Sequence, residues 1–395
     1  MSKPVPALWT KDFILVTAAN FLIYSVFYVL AATVAGFAMN RYHASPSIAG
    51  LVSSIFVVGM LIARLYCGPL VYRIGQKKTL FIGLAMYLLT TLVYFIIDDL
   101  TLLLAARLIN GLTMGVTSLA IATIVAGIVP AERRGEGIGY HTLSMPLALA
   151  SGPWIGISLM QRGGFSMNLI VSIVLLLLCF MVAFFIRPLE MEDFGKTAKE
   201  HRGSFITKYF EPKVIPIALF MVLVGLGYSG VLSFLSPFME HTGLIRAGGY
   251  FFAVYAACAL ISRPYTGRLF DNHGENSVIY PSLVCFVLGM GILSMADNAL
   301  MLLISGGLIG IGYSTILSSA QAIGIKAVAP DHIPIATSTI YIFLNIGVGF
   351  GPYLLGIVVA EFDYRGMYAS LAGVLTLSAI LYHYLHGRHT KRAVQ

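Results

Sequence analysis

Charged residues are scarce in this sequence. Asp, Glu, Lys and Arg make up 11% of its 395 residues, whereas 58% are apolar, and the mean hydropathy is +0.86. A soluble protein needs a charged surface, so this composition excludes a soluble fold. A membrane-spanning helix takes about 20 apolar residues, and about twelve such helices would leave roughly 155 residues for loops and tails. The composition therefore predicts an all-α membrane protein without a large domain outside the bilayer.

Cysteines and enzyme motifs are equally scarce. The four cysteines, Cys67, Cys179, Cys258 and Cys285, stand far apart inside apolar runs, which excludes a disulfide framework and a C-x-x-C metal site. No H-E-x-x-H, G-x-S-x-G or nucleotide-binding P-loop pattern is present. We therefore expect no metal, no cofactor, no enzymatic activity and no ATP-driven pump. A membrane-embedded receptor or enzyme is the alternative of another class.

The basic residues orient the predicted helices. They outnumber the acidic residues by 25 to 17, but they lie between the apolar runs, so nucleic-acid binding is not expected. Eighteen of them fall on one side of the predicted membrane and four on the other. Positive segments resist translocation, so the richer side, with both termini, is cytoplasmic. The predicted helices are residues 13–38, 48–70, 79–97, 100–129, 134–160, 167–186, 214–239, 247–270, 277–296, 299–327, 334–360 and 367–387.

The two halves of the sequence repeat each other. Residues 61–70 match residues 260–269 at an offset of 199, and Gly75, Gly111 and Gly152-Pro153 fall on Gly274, Gly310 and Gly351-Pro352 at the same offset. An even number of helices returns the chain to the same side, so the repeat predicts two parallel six-helix bundles related by a pseudo-twofold axis. We place the first bundle at 1–190, a cytoplasmic linker at 191–212 and the second bundle at 213–395. Such repeats usually hold a substrate site near the membrane midplane.

The segment Gly68-Pro-Leu-Val-Tyr-Arg-Ile-Gly-Gln-Lys-Lys78 resembles the loop between helices 2 and 3 of the major facilitator superfamily. Tyr72 occupies the position that is usually acidic, whereas the second copy keeps its acid as Asp271. The resemblance implies that this loop gates one face of a transporter, although its charges would also serve topology alone. The gating residues that the resemblance implies are Gly68, Arg73, Gly75, Lys77, Lys78 and Asp271. Arg133 and Arg134 are two further gating candidates, and the alternative for them is a role in membrane topology alone.

Two further segments resemble antiporters of that superfamily. Arg107 and Gly111 are similar to its R-x-x-x-G element, and A-L-A-S-G-P-W-I-G at residues 148–156 resembles its helix 5 motif, although Ala148 and Ile157 replace the outer glycines. The resemblance implies a drug:proton antiporter, hence export, by a monomer in a bacterial inner membrane. Its partners would be a small-molecule substrate, protons and the lipid bilayer. The alternatives are import of a nutrient and export of a metal-chelating metabolite.

Proton coupling has two candidate residues. Arg107 lies about two turns inside predicted helix 4, where a charge is costly unless it faces water or a partner, and the alternative is that it snorkels towards Asp98 and Asp99. No acidic residue falls near a predicted helix centre. His141 in predicted helix 5 has a side chain suited to carrying a proton, although a lone helical histidine is more often a packing residue.

Glycine-proline pairs and polar residues complete the predicted pathway. Gly152-Pro153 and Gly351-Pro352 would permit close helix approach and a bend, and we assign them as hinges, with static packing as the alternative. Polar and aromatic side chains that lipid would not solvate are assigned to a substrate cavity, with interfacial anchoring as the alternative. These residues are Asn20, Tyr24, Tyr28, Asn110, Thr113, Tyr228, Ser229, Tyr313, Ser318, Gln321, Tyr341 and Asn345.

Overall fold

The structure is a computed structural model that describes residues 7–67, 71, 73–130, 133–187, 210–329 and 332–389. All regular secondary structure in these residues is helical. The chain divides into two compact units. Unit 1 comprises Met1–Leu30, Ile55–Gly152 and Arg162–Arg202, and unit 2 comprises Ala31–Ser54, Pro153–Gln161 and Gly203–Gln395.

Twelve helical spans run through the described residues, in the order that the sequence predicts and with ends within four residues of the predicted ends. Two long helices each contain one break, at Gly163 and Gly164 and at Asp363, so that each supplies two spans. Spans 1 to 6 are Lys11–Ala31 with Val34–Tyr42, Pro46–Tyr66, Gln76–Val93, Leu100–Ile128, Arg134–Thr142 with 144–162, and 165–185. Spans 7 to 12 are Ile215–Thr242, Ile245–His273, Asn276–Ser294, Ala299–Lys326, 333–362 and 364–385.

Most spans are long and apolar enough to cross a bilayer. Eight segments of the described chain meet that condition. Two of these segments are the long helices with a break, each of which supplies two spans, so the eight segments account for ten spans. The other two are span 3 and span 8. Span 3 begins with Gln76-Lys77-Lys78, which lowers its mean hydropathy.

The turns of the two halves have the same backbone geometry at the offset of 199. Gly164, between spans 5 and 6, has φ 66° and ψ −167°, and Asp363, between spans 11 and 12, has φ 59° and ψ −174°. The residues before spans 3 and 9, Gly75 and Gly274, both have positive φ, of 95° and 83°. Side chains other than glycine rarely adopt these conformations. Shared unusual angles at equivalent positions confirm that the two halves repeat one structure.

Helix caps and close helix approaches repeat as well. Asp99 caps span 4 by accepting from the backbone N–H groups of Thr101 and Leu102 at 2.8 and 3.1 Å, and Asn298 caps span 10 by accepting from Met301 N at 3.0 Å. Such caps satisfy the donors left free at a helix N-terminus. These two capping residues are again 199 positions apart, so the same start signal was kept in both copies.

Glycines bring two helices into contact within each unit. In unit 1, a Cβ atom on Gly111 of span 4 would overlap the carbonyl group of Phe56 in span 2. In unit 2, a Cβ atom on Gly310 of span 10 would overlap the carbonyl group of Tyr255 in span 8. Both residues of each pair are shifted by 199. Small residues permit this backbone contact, which is a main source of helix association in membranes.

Candidate transport site

Arg107 packs inside unit 1. It is the eighth residue of span 4, its side chain is 1% exposed, and its guanidinium carbon lies 4.5 Å from the centre of the Phe56 ring. The side chains of Tyr87 and Tyr94 lie close enough to interact with its charge. A cation over an aromatic face is stabilised when water is excluded. The arginine is therefore held among aromatic groups in the interior of the unit, not at its surface.

Asn110 lies one turn further along span 4 and binds span 3. Its side-chain amide donates to the hydroxyl groups of Thr90 and Thr91 at 2.9 and 3.2 Å, and it is fully buried. The Thr113 hydroxyl donates to the Asn110 carbonyl at 2.8 Å. These hydrogen bonds satisfy polar groups that would be costly in lipid. A role of Asn110 and Thr113 in substrate contact remains a prediction.

His141 belongs to a polar cluster that joins spans 1 and 5 within unit 1. Its ring nitrogen Nδ1 lies 3.3 Å from the Thr17 hydroxyl, and Ser144 donates to its carbonyl at 2.6 Å. The Asn20 amide in turn donates to the Ser144 hydroxyl at 2.8 Å. Sequence reasoning named Asn20 and His141 but missed Thr17 and Ser144, although both lie one turn from a named residue. The structure thus brings two predicted residues from distant segments together.

Arg64 of span 2 reaches Tyr24 of span 1. Its Nη2 donates to the Tyr24 hydroxyl at 2.9 Å, and the rings of Tyr24 and Tyr28 are 6.5 Å apart. Arg64 is half-buried and Tyr24 is buried. The contact places an arginine side chain beside Tyr24, one of the residues that the sequence assigns to a substrate cavity.

Three tyrosines form a buried aromatic cluster in unit 2. Tyr228 stacks on Tyr313 with ring centres 4.1 Å apart and planes at 12°, and Tyr255 lies 6.3 Å from Tyr228. All three are at most 1% exposed. Tyr228 and Tyr313 were predicted, whereas Tyr255 was missed because nothing in its apolar surroundings marks it. The remaining predicted polar pair of this unit, Gln321 and Tyr341, forms a hydrogen bond, and Asn345 is buried.

The predicted gating lysine Lys77 caps a helix of its own unit. Its Nζ donates to the carbonyl groups of Phe184 and Ile186, at 3.1 and 2.8 Å, at the end of span 6. The helix macrodipole favours a cation there. At the offset of 199, Asn276 donates to the Gly387 carbonyl at 2.8 Å, just past span 12. Both copies thus tie the start of their third helix to the end of their sixth, and the second copy does so without a charge.

The other predicted gating residues are placed separately. Asp271 is exposed and lies 3.9 Å from Lys326, whose Nζ also lies 4.2 Å from the Phe270 ring centre. Arg73 and Lys78 are exposed, Arg133 is half-buried, and Gly75 provides the positive-φ turn before span 3. Gly68 and the side chain of Arg134 lie outside the described part of the chain. Gating by this set therefore remains a prediction.

The two predicted hinges lie inside continuous helices. Pro153 and Pro352 both stand within a helix, and the only non-helical dihedral angles within those two helices fall at Gly163, Gly164 and Asp363. A Cβ atom on Gly152 would come 2.5 Å from the Tyr28 Cβ atom in unit 1, whereas one on Gly351 would overlap the Ser229 hydroxyl in unit 2. Close packing is therefore present at both glycines, and bending remains a prediction.

A buried carboxylate that sequence reasoning missed, Glu211, lies just before span 7 in unit 2. Glu211 accepts from His332 Nδ1, 2.7 Å away, and from Lys213 N at 3.4 Å, while its own backbone N–H donates to Thr339 at 3.0 Å. The hydrogen bond from His332 holds the pKa of the Glu211 carboxyl below its usual range. This network fastens the start of span 7 to span 11.

A small cavity of about 300 Å³ lies within unit 2, where spans 1 and 7 end near Tyr364. The Asn40 amide donates to both carboxylate oxygens of Glu240, at 3.2 and 3.1 Å, and both residues are exposed. The Tyr364 ring lies 5.7 Å from the His241 ring. The cavity is lined by Gly36, Met39, Asn40, Pro237, Glu240, His241 and Tyr364.

Comparison with known proteins identifies the family. The sequence model of the Major Facilitator Superfamily matches residues 16–251 and 217–395. The chain belongs to this superfamily. Relatives of this Major Facilitator Superfamily transporter include uncharacterized MFS-type transporter YhhS of Escherichia coli K12, which is 23% identical over 92% of this chain and 89% of that protein. Multidrug resistance protein MdtG of Escherichia coli SMS-3-5 is 23% identical over 84% of this chain and 82% of its own length.

Solved structures agree with the family. A bacterial homolog of the human lysosomal transporter Spinster superposes with a TM-score of 0.78 at 15% identity, covering 98% of both chains. At that identity the likeness concerns the fold. The protein is a multi-pass membrane transporter with the twelve helices and two bundles of its superfamily, and it is not an enzyme.

Proposed function

We propose that this Major Facilitator Superfamily transporter exports small amphipathic organic molecules by alternating access, in exchange for protons. The observation that carries the proposal is the setting of the segment 148–156. Its Gly152 packs directly against Tyr28 of span 1, two turns from the cluster of Asn20, His141 and Ser144. This segment resembles the antiporter motif, and one relative is named for multidrug resistance.

Proton exchange needs a group that gains and loses a proton. Every Asp and Glu within the twelve spans lies within three residues of a span end. An imidazole can gain and lose a proton, and His141 is buried and contacts Thr17, so we assign it as the proton carrier. The permanent charge of Arg107 would influence the binding and release of the proton, because charges interact strongly where water is excluded.

The membrane orientation follows from the basic residues. We infer cytoplasmic termini, because eighteen basic residues fall on that side of the predicted topology. We also propose that the protein is a monomer in a bacterial inner membrane. Within it, residues 1–190 and 213–395 would act as the two moving halves and 191–212 as their linker. Substrate contacts would come from the predicted cavity residues of both halves.

The proposal is tested in inside-out membrane vesicles from bacteria that overproduce the protein. An acid interior is expected to drive accumulation of an amphipathic dye, and nigericin, which collapses the pH gradient, is expected to abolish it. Vesicles without the protein are the control. Equal dye flux with and without the gradient would contradict proton exchange, and uptake only into right-side-out vesicles would contradict export.

A further inference from the structure

We infer that the exported substrate is an amphipathic organic anion; this rests on the proposed function and names its substrate class. The first observation is the sign of the charges inside the spans. Acidic residues are confined to the last three positions at either end of a span. Among Asp, Glu, Lys, Arg and His, the residues further inside are Arg107, Arg263, Arg268 and His141, all of which are cationic when protonated.

This distribution favours one sign of substrate. An ion is stabilised away from water only if an opposite charge lies near it, because attraction at close range must offset the loss of hydration. Away from the span ends, a cationic substrate would find arginines and no carboxylate in the described spans. An anionic substrate would be attracted by these arginines, whereas a cationic one would be repelled. Arginine stays protonated at every physiological pH, so this attraction does not depend on pH.

Arg64 supplies a specific place for the anion in unit 1. It stands three residues from the described end of span 2, yet its guanidinium donates to Tyr24, the fourteenth residue of span 1. Helical side chains lean towards the N-terminus of their helix, so Arg64 points along span 2 into its interior and not to the nearer end. The side chain therefore does not take the snorkelling position that a merely topological arginine would take.

The surroundings of Arg64 suit an aromatic anion. A guanidinium has five N–H donors in a planar fork that matches a carboxylate or sulfonate, and among the described residues Tyr24 accepts from one of them. Arg64 is half-buried, and the ring of Tyr24, whose hydroxyl it contacts, lies 6.5 Å from the ring of Tyr28. The contact places a cation next to an aromatic residue. The equivalent arginine of the second half, Arg263, provides a matched control, since it has the same charge at the same position of the repeat.

The experiment compares two dyes in proteoliposomes. A sulfonated rhodamine stays anionic at every pH used, and rhodamine 6G is a cation on the same ring system. We expect transport of the sulfonated dye to be faster by about tenfold or more, because a charge-assisted hydrogen bond to arginine is replaced by repulsion. Arg64→Gln should lower transport of the anion by about tenfold to a hundredfold, chiefly through a higher KM.

Controls separate recognition from folding. Arg263→Gln removes the same charge from the second half and should lower anion transport several-fold less than Arg64→Gln does, and Tyr24→Phe, which keeps the ring, should preserve the preference for the anion. Faster transport of rhodamine 6G would overturn the inference, as would an Arg64→Gln variant that transports both dyes with equally reduced rates. If neither dye moves under a pH gradient, the proposed export function itself fails, which is a distinct outcome from a preference for cations.

Discussion

Replacing Arg107 with methionine is expected to lower proton-driven efflux by about a hundredfold, because loss of a buried charged contact costs on the order of 3 kcal/mol. The methionine side chain has a similar length and no charge, so it can occupy the same space beside Phe56. Exchanging a buried charge for an apolar group of similar volume is often neutral for folding. The variant should therefore assemble normally and fail in transport, measured as dye accumulation in inside-out vesicles.

Two variants test whether the charge of Arg107 or its packing matters. Arg107→Lys keeps the charge and should retain part of the transport rate, whereas Phe56→Leu removes the aromatic face and keeps the arginine. If Arg107 only packs, Phe56→Leu should impair transport as much as Arg107→Met does. Full proton-driven efflux by Arg107→Met would contradict a coupling role.

Valine at Gly111 or at Gly310 is expected to destabilise the protein by about 3 kcal/mol, at the upper end of the usual cost of overpacking. The reason is that the new side chain would overlap backbone, the Phe56 carbonyl in one unit and the Tyr255 carbonyl in the other. Backbone cannot rotate away as a side chain can, so the two helices must separate. Thermal unfolding of the detergent-solubilised protein measures the effect.

The repeat predicts that both valine variants lose similar stability, because the two glycines occupy equivalent places. Gly291→Ala is the matched control, since a Cβ atom at Gly291 in span 9 meets open space. It should be neutral or slightly stabilising, because alanine favours a helix over glycine. Normal melting temperatures for Gly111→Val and Gly310→Val would show that the close approach is not needed.

The spans and the repeat could be predicted from the sequence. Long apolar runs bounded by charges fix where a membrane helix begins and ends, and the match of residues 61–70 with 260–269 revealed the duplication. Composition cannot tell where a helix breaks when no charge marks the place. The turn at Asp363 was nevertheless anticipated as a loop, and its geometry equals that of Gly164.

The contacts of the candidate site were less predictable. Sequence reasoning identified Asn20 and His141 as polar residues in lipid, but their link through Ser144 depends on the rotation of two helices that are more than a hundred residues apart. Tyr255 was missed because an aromatic residue in an apolar run carries no signal of its neighbours. Glu211 was missed because its partner His332 lies 121 residues away. Pairings of this kind depend on helix orientation, which hydropathy does not encode.

Alternating access requires the contact between Asn40 and Glu240, at one end of unit 2, to open during transport. Their hydrogen bond joins the ends of spans 1 and 7, which belong to opposite halves of the repeat, so it must break in one transport state. Cysteines at both positions, joined through two disulfide bonds by a short bifunctional methanethiosulfonate, would prevent that separation. Each single-cysteine variant, treated with the same reagent, is the control for labelling of one side alone.

The most direct test is dye flux through the Asn40→Cys/Glu240→Cys protein before cross-linking, after it, and after a reductant has cleaved the link. Alternating access predicts near-complete loss of flux on cross-linking and recovery on reduction, with both single variants unaffected. Undiminished flux through the cross-linked protein would show that these helix ends need not separate, and would contradict transport by alternating opening of two repeated halves.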